Sequence, residues 1–190
     1  YDKLPGTRDG FLQQQNTLRD ALVAGINLNI FNNNADRISM ANIAQIVNVL
    51  QSVILTNGPE MVKTPTYHVF NMYNVHQDAN LIPIDFETEN YEYNGDSIPA
   101  LTASASEKNG ITSITLTNAN PNKAIAVNLQ LGKDFKSAGG KIITAKEITD
   151  YNDFGKTEKV FISDFKIGKI KNEILEIEVP AHSVILVQAQ

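Results

Sequence analysis

From Asp78 to its end the chain is written as short runs in which apolar and polar residues alternate, with turn-forming residues between them. Residues 101–106, 111–117, 124–131 and 174–179 all read this way. A period of two puts successive side chains on opposite faces of an extended strand, so each run suits a sheet with one face turned to a core. Asn109-Gly110 stands between two of the runs, and both residues accept the positive φ that a type I′ turn demands, which predicts a tight hairpin. Pro180 separates residues 174–179 from a last strand over 183–187. The second half therefore reads as an all-β antiparallel sandwich.

Before Asp78 the pattern is different. Leu18, Leu22, Gly25, Ile26 and Ile30 recur near the 3.6-residue period of a helix with one buried side. Thr17 stands three residues ahead of Asp20, the capping-box spacing, and Asn32-Asn33-Asn34 predicts the helix end, because Asn tolerates left-handed geometry. Residues 4–10, with Pro5, Gly6 and Gly10, predict a loop. Residues 37–45 are short and largely apolar, as a strand covered on both sides would be. A second helix is expected from Pro65 to about Val75, capped by Thr64. Helix, buried strand and helix imply α/β architecture, so two units are expected, 1–77 and 78–190. Charge changes at the same boundary: acidic and basic residues balance up to Gln77, and the whole net charge of -5 lies beyond it.

That acidic balance argues against a phosphate-binding surface and hence against nucleic acid as a partner. No apolar run is long enough to cross a bilayer, so no membrane partner is expected. With no cysteine there is no thiol nucleophile and no Cys-ligated metal. His68, His76 and His182 lack the spacing of a zinc motif, and neither a nucleophile elbow nor a phosphate-binding glycine loop occurs, so no metal and no cofactor is expected. His68 and His76 are two helical turns apart on the expected second helix, where both are read as packing or surface residues. Asp85 and Glu87 alternate onto one face of an expected strand and would be the acidic pair to test for glycoside chemistry, although a solvated strand face is the simpler reading. Tyr91 and Tyr93 share a face and could stack on sugar rings, yet there is no Trp, and cross-strand packing accounts for them.

The run from Asn16 through Thr17-Leu18-Arg19-Asp20-Ala21-Leu22 to Gly25, followed by Leu28-Asn29-Ile30-Phe31 and Ala35-Asp36-Arg37-Ile38, closely resembles glycoside hydrolase family 51. Met40-Ala41-Asn42-Ile43-Ala44-Gln45, Ile54-Leu55-Thr56 and Thr64-Pro65-Thr66-Tyr67-His68 extend the resemblance. It continues more weakly to the closing Val179-Pro180-Ala181-His182-Ser183-Val184. One departure is Asn32-Asn33-Asn34, where relatives often carry histidines.

The resemblance implies a retaining α-L-arabinofuranosidase acting on arabinan, arabinoxylan and arabino-oligosaccharides, built as a (β/α)₈ barrel followed by a jelly-roll-like β-sandwich. Residues 1–77 would be the incomplete C-terminal segment of the barrel and 78–190 the sandwich. Both catalytic carboxylates would lie upstream of Tyr1, the nucleophile only a few residues before it, so this chain carries no catalytic residue and is expected to be inactive alone. Gln45 matches a glutamine that in the family hydrogen-bonds arabinose beside the cleaved bond. Its place at the carboxyl end of an expected barrel strand is where barrel enzymes assemble their sites. A carbohydrate-binding module or a structural, oligomer-forming sandwich are the other readings, and a homo-oligomer is expected. A lone barrel strand would leave an open edge and bare apolar surface, so the first 60 or so residues should pack on another copy or on the sandwich.

Overall fold

The computed structural model describes residues 16–43, 46–131 and 135–190. The first helix, α1 (Leu18–Asn33), starts where the capping-box spacing places it. Asp20 Oδ2 accepts the Thr17 backbone N–H at 2.8 Å and its hydroxyl at 3.0 Å, so a donor that no helical carbonyl reaches is satisfied. The helix stops at the expected asparagines by a different device. Asn34 has φ −116°, outside the left-handed region, and its Nδ2 donates back to Ile30 O at 2.8 Å. Asn32 and Asn33 instead reach off the helix, donating to Ser104 Oγ and to Ala103 O. The buried face is Leu18, Ala21, Leu22, Gly25, Leu28 and Asn29. Ile30, expected on that face, is 48% exposed, because five positions beyond Gly25 it is turned about 140° away.

The expectation of a buried strand over residues 37–45 fails. Arg37 closes a turn, residues 38–43 belong to no sheet, Met40 is 72% exposed, and Ala44 and Gln45 lie outside the described residues. A strand exists through hydrogen bonds to its neighbours, and among the described residues none pairs with this run. The chain becomes regular again at the hairpin of β1 (Ile54–Asn57) and β2 (Glu60–Lys63). The second helix, α2 (Pro65–Tyr73), begins at the expected proline, with Thr64 Oγ1 accepting the Tyr67 N–H. A single 3₁₀ turn, Asn74–His76, completes it.

Among the described residues ten strands follow: β3 (Asn80–Ile82), β4 (Asn90–Tyr93), β5 (Asp96–Pro99), β6 (Leu101–Lys108), β7 (Ile111–Asn118), β8 (Ile125–Gln130), β9 (Ala138–Thr144), β10 (Phe161–Phe165), β11 (Ile174–Val179) and β12 (Ser183–Ala189). The turn joining β6 to β7 is the expected Asn109-Gly110, with φ of 55° and 77°. Six strands form one antiparallel sheet in the order β10-β9-β12-β7-β6-β3, while β11 and β8 pair as a small sheet and β4–β5 stands as a separate hairpin. The antiparallel β-sandwich is therefore present, with few helices beside it.

The six-stranded sheet is covered on both faces. On one side Leu101, Ala103, Ile114, Leu116, Ile185 and Val187 meet Leu175, Ile177 and Val179 of the small sheet. On the other, Ile143, Val184 and Leu186 meet Leu18, Leu22 and Leu28 of α1 and Val69, Met72 and Tyr73 of α2. The alternation along β12 sends Val184 and Leu186 one way and Ile185 and Val187 the other, so one strand serves two cores. The helices of the first half thus fold onto the sandwich, whereas Met40, Ile46 and Met61 stay 72%, 61% and 59% exposed.

At Gly25 α1 lies tight against the sheet, for an added Cβ there would stand 2.5 Å from Thr117 Oγ1 and 3.2 Å from Val184 Cγ2. Gly25→Val should therefore push the helix off the sheet and cost about 3 kcal/mol. A lowered midpoint in urea unfolding with an unchanged m-value is the expected result.

Candidate functional site

Gln45, the residue that the resemblance implies in sugar binding, lies outside the described residues, but the chain directly after it is tied down. Ile46 O accepts the N–H groups of both Val53 and Ile54 at 3.1 Å, and Asn48 N donates to Ile54 O at the same distance. The Asn48 side chain grips Thr56 twice: Nδ2 donates to Thr56 Oγ1 at 2.8 Å and Oδ1 accepts the Thr56 N–H at 2.7 Å. Gln51 Nε2 donates to Asp20 Oδ1 at 2.7 Å, so the carboxylate that caps α1 also holds this loop. Thr64, the cap of α2, donates its hydroxyl to Ser52 O at 2.9 Å. Asn48 and Gln51 both sit in the left-handed region, with φ of 55° and 61°, a strained conformation for a residue such as Gln.

The other residues singled out from sequence are not gathered into one site. Asp85 and Glu87 are exposed and lie in the irregular connection between β3 and β4, so the expected strand face does not form. They border a groove of about 870 Å³ floored by Ala103, Ile114 and Leu116 and walled by Val127 and Leu129 of β8. Tyr91 and Tyr93 are on the β4–β5 hairpin opposite Ile98 and Asp96, and Tyr93 is 65% exposed. A glycosidase acid needs its carboxyl held above the usual range by an apolar pocket. Asp150, Asp153 and Asp164 are shifted the opposite way, each by hydrogen bonding to a lysine: Lys159, Lys156 and Lys141. Among the described residues no group of three or more His, Asp or Glu is placed to hold a metal ion. No helix of the described residues is long and apolar enough to cross a membrane.

The three histidines are separated by the fold. His68 is buried, its Nε2 3.8 Å from Glu158 Oε2 with no hydrogen-bond partner among the described residues, and burial lowers its pKa. His182 lies between the carbonyls of Pro121 and Ala145, at 2.8 and 3.2 Å. His76 leans on the hydroxyls of the sheet, Nδ1 2.7 Å from Ser106 Oγ and Nε2 3.0 Å from Thr115 Oγ1.

His76 belongs to a polar seam that sequence reading missed. Asn29, fully buried on α1, accepts at Oδ1 from Ser104 Oγ (2.9 Å) and Thr115 Oγ1 (2.8 Å) and is reached by Tyr73 OH (2.9 Å); its Nδ2 donates to Thr102 Oγ1 at 3.1 Å. Thr102, Ser104, Thr115 and Thr117 are the polar half of the alternation along β6 and β7, turned here toward the helices. Asn29 signalled this, since it is a polar residue eleven positions from Leu18 on the same helix face. Burial pushes the Tyr73 phenol up to about 12 and the His76 ring down to about 4.

Residues 1–183 match the α-L-arabinofuranosidase C-terminal domain family. The chain belongs to that family. An intracellular exo-α-L-arabinofuranosidase of Bacteroides ovatus is 46% identical over 193 residues, which take in all of this chain and 38% of that protein. The crystal structure of the GH51 arabinofuranosidase from Xanthomonas axonopodis pv. citri superposes with a TM-score of 0.94 at 43% identity, over all of this chain and 39% of that one. An α-L-arabinofuranosidase from Thermotoga maritima, solved as an arabinose complex, shares the fold at 20% identity with a TM-score of 0.82, over 97% of this chain and 41% of that one. The resemblance to glycoside hydrolase family 51 is thereby borne out, and the chain spans about two fifths of the length of these relatives.

The seam makes stability depend on pH with a defined sign. The unfolded chain takes up a proton on His76 near 6.5 and the folded chain only near 4, so stability is full above 6.5 and is lost as pH falls toward 4. The loss reaches roughly 3 kcal/mol across that window. His76→Gln should flatten the pH dependence of the urea midpoint by about one proton, leaving what His68, whose pKa burial also lowers, contributes in the same direction.

Proposed function

We propose that this chain is the C-terminal part of a retaining α-L-arabinofuranosidase that releases terminal arabinofuranose from arabinan, arabinoxylan and arabino-oligosaccharides. In this reading residues 1–77 are the closing segment of a (β/α)₈ catalytic barrel and residues 78–190 a jelly-roll-like sandwich. Gln45 hydrogen-bonds the arabinose next to the cleaved bond. The observation that carries the proposal is the 46% identity running through the whole chain, first half included.

One structural feature supports the barrel assignment: exposed apolar side chains gather in the first half. Val23 and Ile30 lie on the side of α1 away from the sheet, and Met40, Ile46 and Met61 follow. A surface of this kind asks for a covering element, and the rest of the barrel supplies one.

The chemistry sets what the chain does alone. Retention of configuration needs two carboxyl groups about 5–5.5 Å apart across the glycosidic bond, one as acid and base and one as nucleophile. In this reading both belong to the remainder of the barrel, so the sandwich and the last barrel segment contribute support and one sugar contact. The purified 190-residue chain should show no hydrolysis of p-nitrophenyl arabinofuranoside, and the intact protein should hydrolyse it with retention. Turnover by the isolated chain at a rate no contaminant explains would overturn the proposal.

A further inference from the structure

The sequence holds three Asn-Gly pairs, Asn57-Gly58, Asn94-Gly95 and Asn109-Gly110, and the fold sets each of them at a hairpin turn, exposed to solvent. An Asn followed by Gly is the least hindered setting for attack of the next backbone nitrogen on the side-chain amide, because no side chain shields that nitrogen. The three pairs are not equivalent in structure. Gly110 N–H donates to Glu107 Oε1 at 2.7 Å, so a carboxylate holds the proton that the attacking nitrogen must give up. Its hairpin joins β6 and β7, two eight-residue strands inside the six-stranded sheet. Asn57 follows Thr56, which Asn48 grips through both amide atoms, and Gly58 precedes Pro59, whose ring fixes its own φ and narrows the choices of Gly58. Asn94 has neither restraint. Among the described residues the Gly95 N–H makes no hydrogen bond, and β4–β5 forms a two-stranded sheet of its own in which every strand residue but Tyr91 is exposed. A hairpin standing alone in this way opens locally at little cost.

We infer that Asn94 is a site of spontaneous deamidation, the first of the three to react in the folded protein. The Gly95 nitrogen attacks Cγ of Asn94, and the new C–N bond closes a succinimide ring. The side-chain amide nitrogen leaves as ammonia, carrying the proton that the Gly95 nitrogen gives up. Water then adds to one of the two ring carbonyls and breaks its bond to the Gly95 nitrogen. Attack at Cγ leaves aspartate and attack at the backbone carbonyl leaves isoaspartate, so one water is consumed, one ammonia is released and no oxidant is needed. Asn94 and Gly95 have φ of 50° and 90°, the left-handed pair that a two-residue turn requires. Isoaspartate adds a methylene to the main chain at that point and spoils the match between β4 and β5. Either product places a new negative charge between Glu92 and Asp96 in the sequence. Both cores are spared, since among the described residues neither strand lends a side chain to them.

The test is peptide mapping by mass spectrometry after the intact protein has stood in alkaline buffer made with water enriched in heavy oxygen, so that each deamidation exchanges an NH₂ group for a labelled OH. The peptide holding Asn94 should take up label about tenfold faster than those holding Asn57 and Asn109, the effect of roughly 1.4 kcal/mol on a barrier. In strong denaturant the three rates should draw together, because the sequence offers the same Asn-Gly pair at each place. Glu107→Ala should speed the reaction at Asn109 several-fold and leave Asn94 unchanged. Glu107→Gln, which keeps an acceptor for the Gly110 N–H, should stay near wild type. Labelling at Asn94 no faster than at the other two, a ranking that persists in denaturant, or an Asn109 rate indifferent to Glu107→Ala would each refute the inference.

Discussion

Everything in this fold turns on the meeting of α1 with the outer face of β6 and β7. That face carries threonine and serine hydroxyls, which a solvated sheet would leave in water. Burying them is tolerable only if each finds a partner, since an unpaired buried hydroxyl costs on the order of 1–3 kcal/mol. Asn29 is the answer: one side chain with an acceptor and a donor, fully buried, reaching Ser104, Thr115 and Thr102 while Tyr73 closes the group from α2. Gly25 one turn earlier lets the backbone come near enough for those bonds to form.

The seam also explains why the helices and the sandwich share one body. A greasy interface would hold α1 against the sheet at many rotations, whereas hydrogen bonds of fixed length select one. With α1 set, Asp20 at its start is set too, and through Gln51 it anchors the loop that leads away from Gln45. A chain of named contacts thus runs from the middle of the β-sandwich to the loop around Gln51. The sandwich is accordingly more than an appendage to the first half, because both helices are seated on it.

Legibility from sequence followed the range of the forces involved. Both helix starts were readable, since Thr17, Asp20, Thr64 and Pro65 act within a few residues. The β6–β7 hairpin was readable for the same reason: Asn109-Gly110 carries its turn in its own backbone preferences. The end of α1 was located but its mechanism was not, because Asn32 and Asn33 are spent on β6, seventy residues away in the chain. The strand over residues 37–45 was read from composition, and composition says only that a segment can be covered, not that neighbours are present to cover it. Asp85 and Glu87 looked like a strand face by spacing alone and lie instead on an irregular rim.

What the residues determined without help was local and periodic: caps, turns, the alternation that makes a sandwich, and the family through runs of identity. Which face of β6 and β7 would be buried against helices, where His76 would lose its proton affinity, and how Asn29 and Thr115 would find each other were decided only by tertiary structure. The division has a physical basis. Backbone preferences and capping bonds act between residues a few positions apart and can be read along the chain, while burial, pKa and side-chain clamps depend on which distant segments share a space.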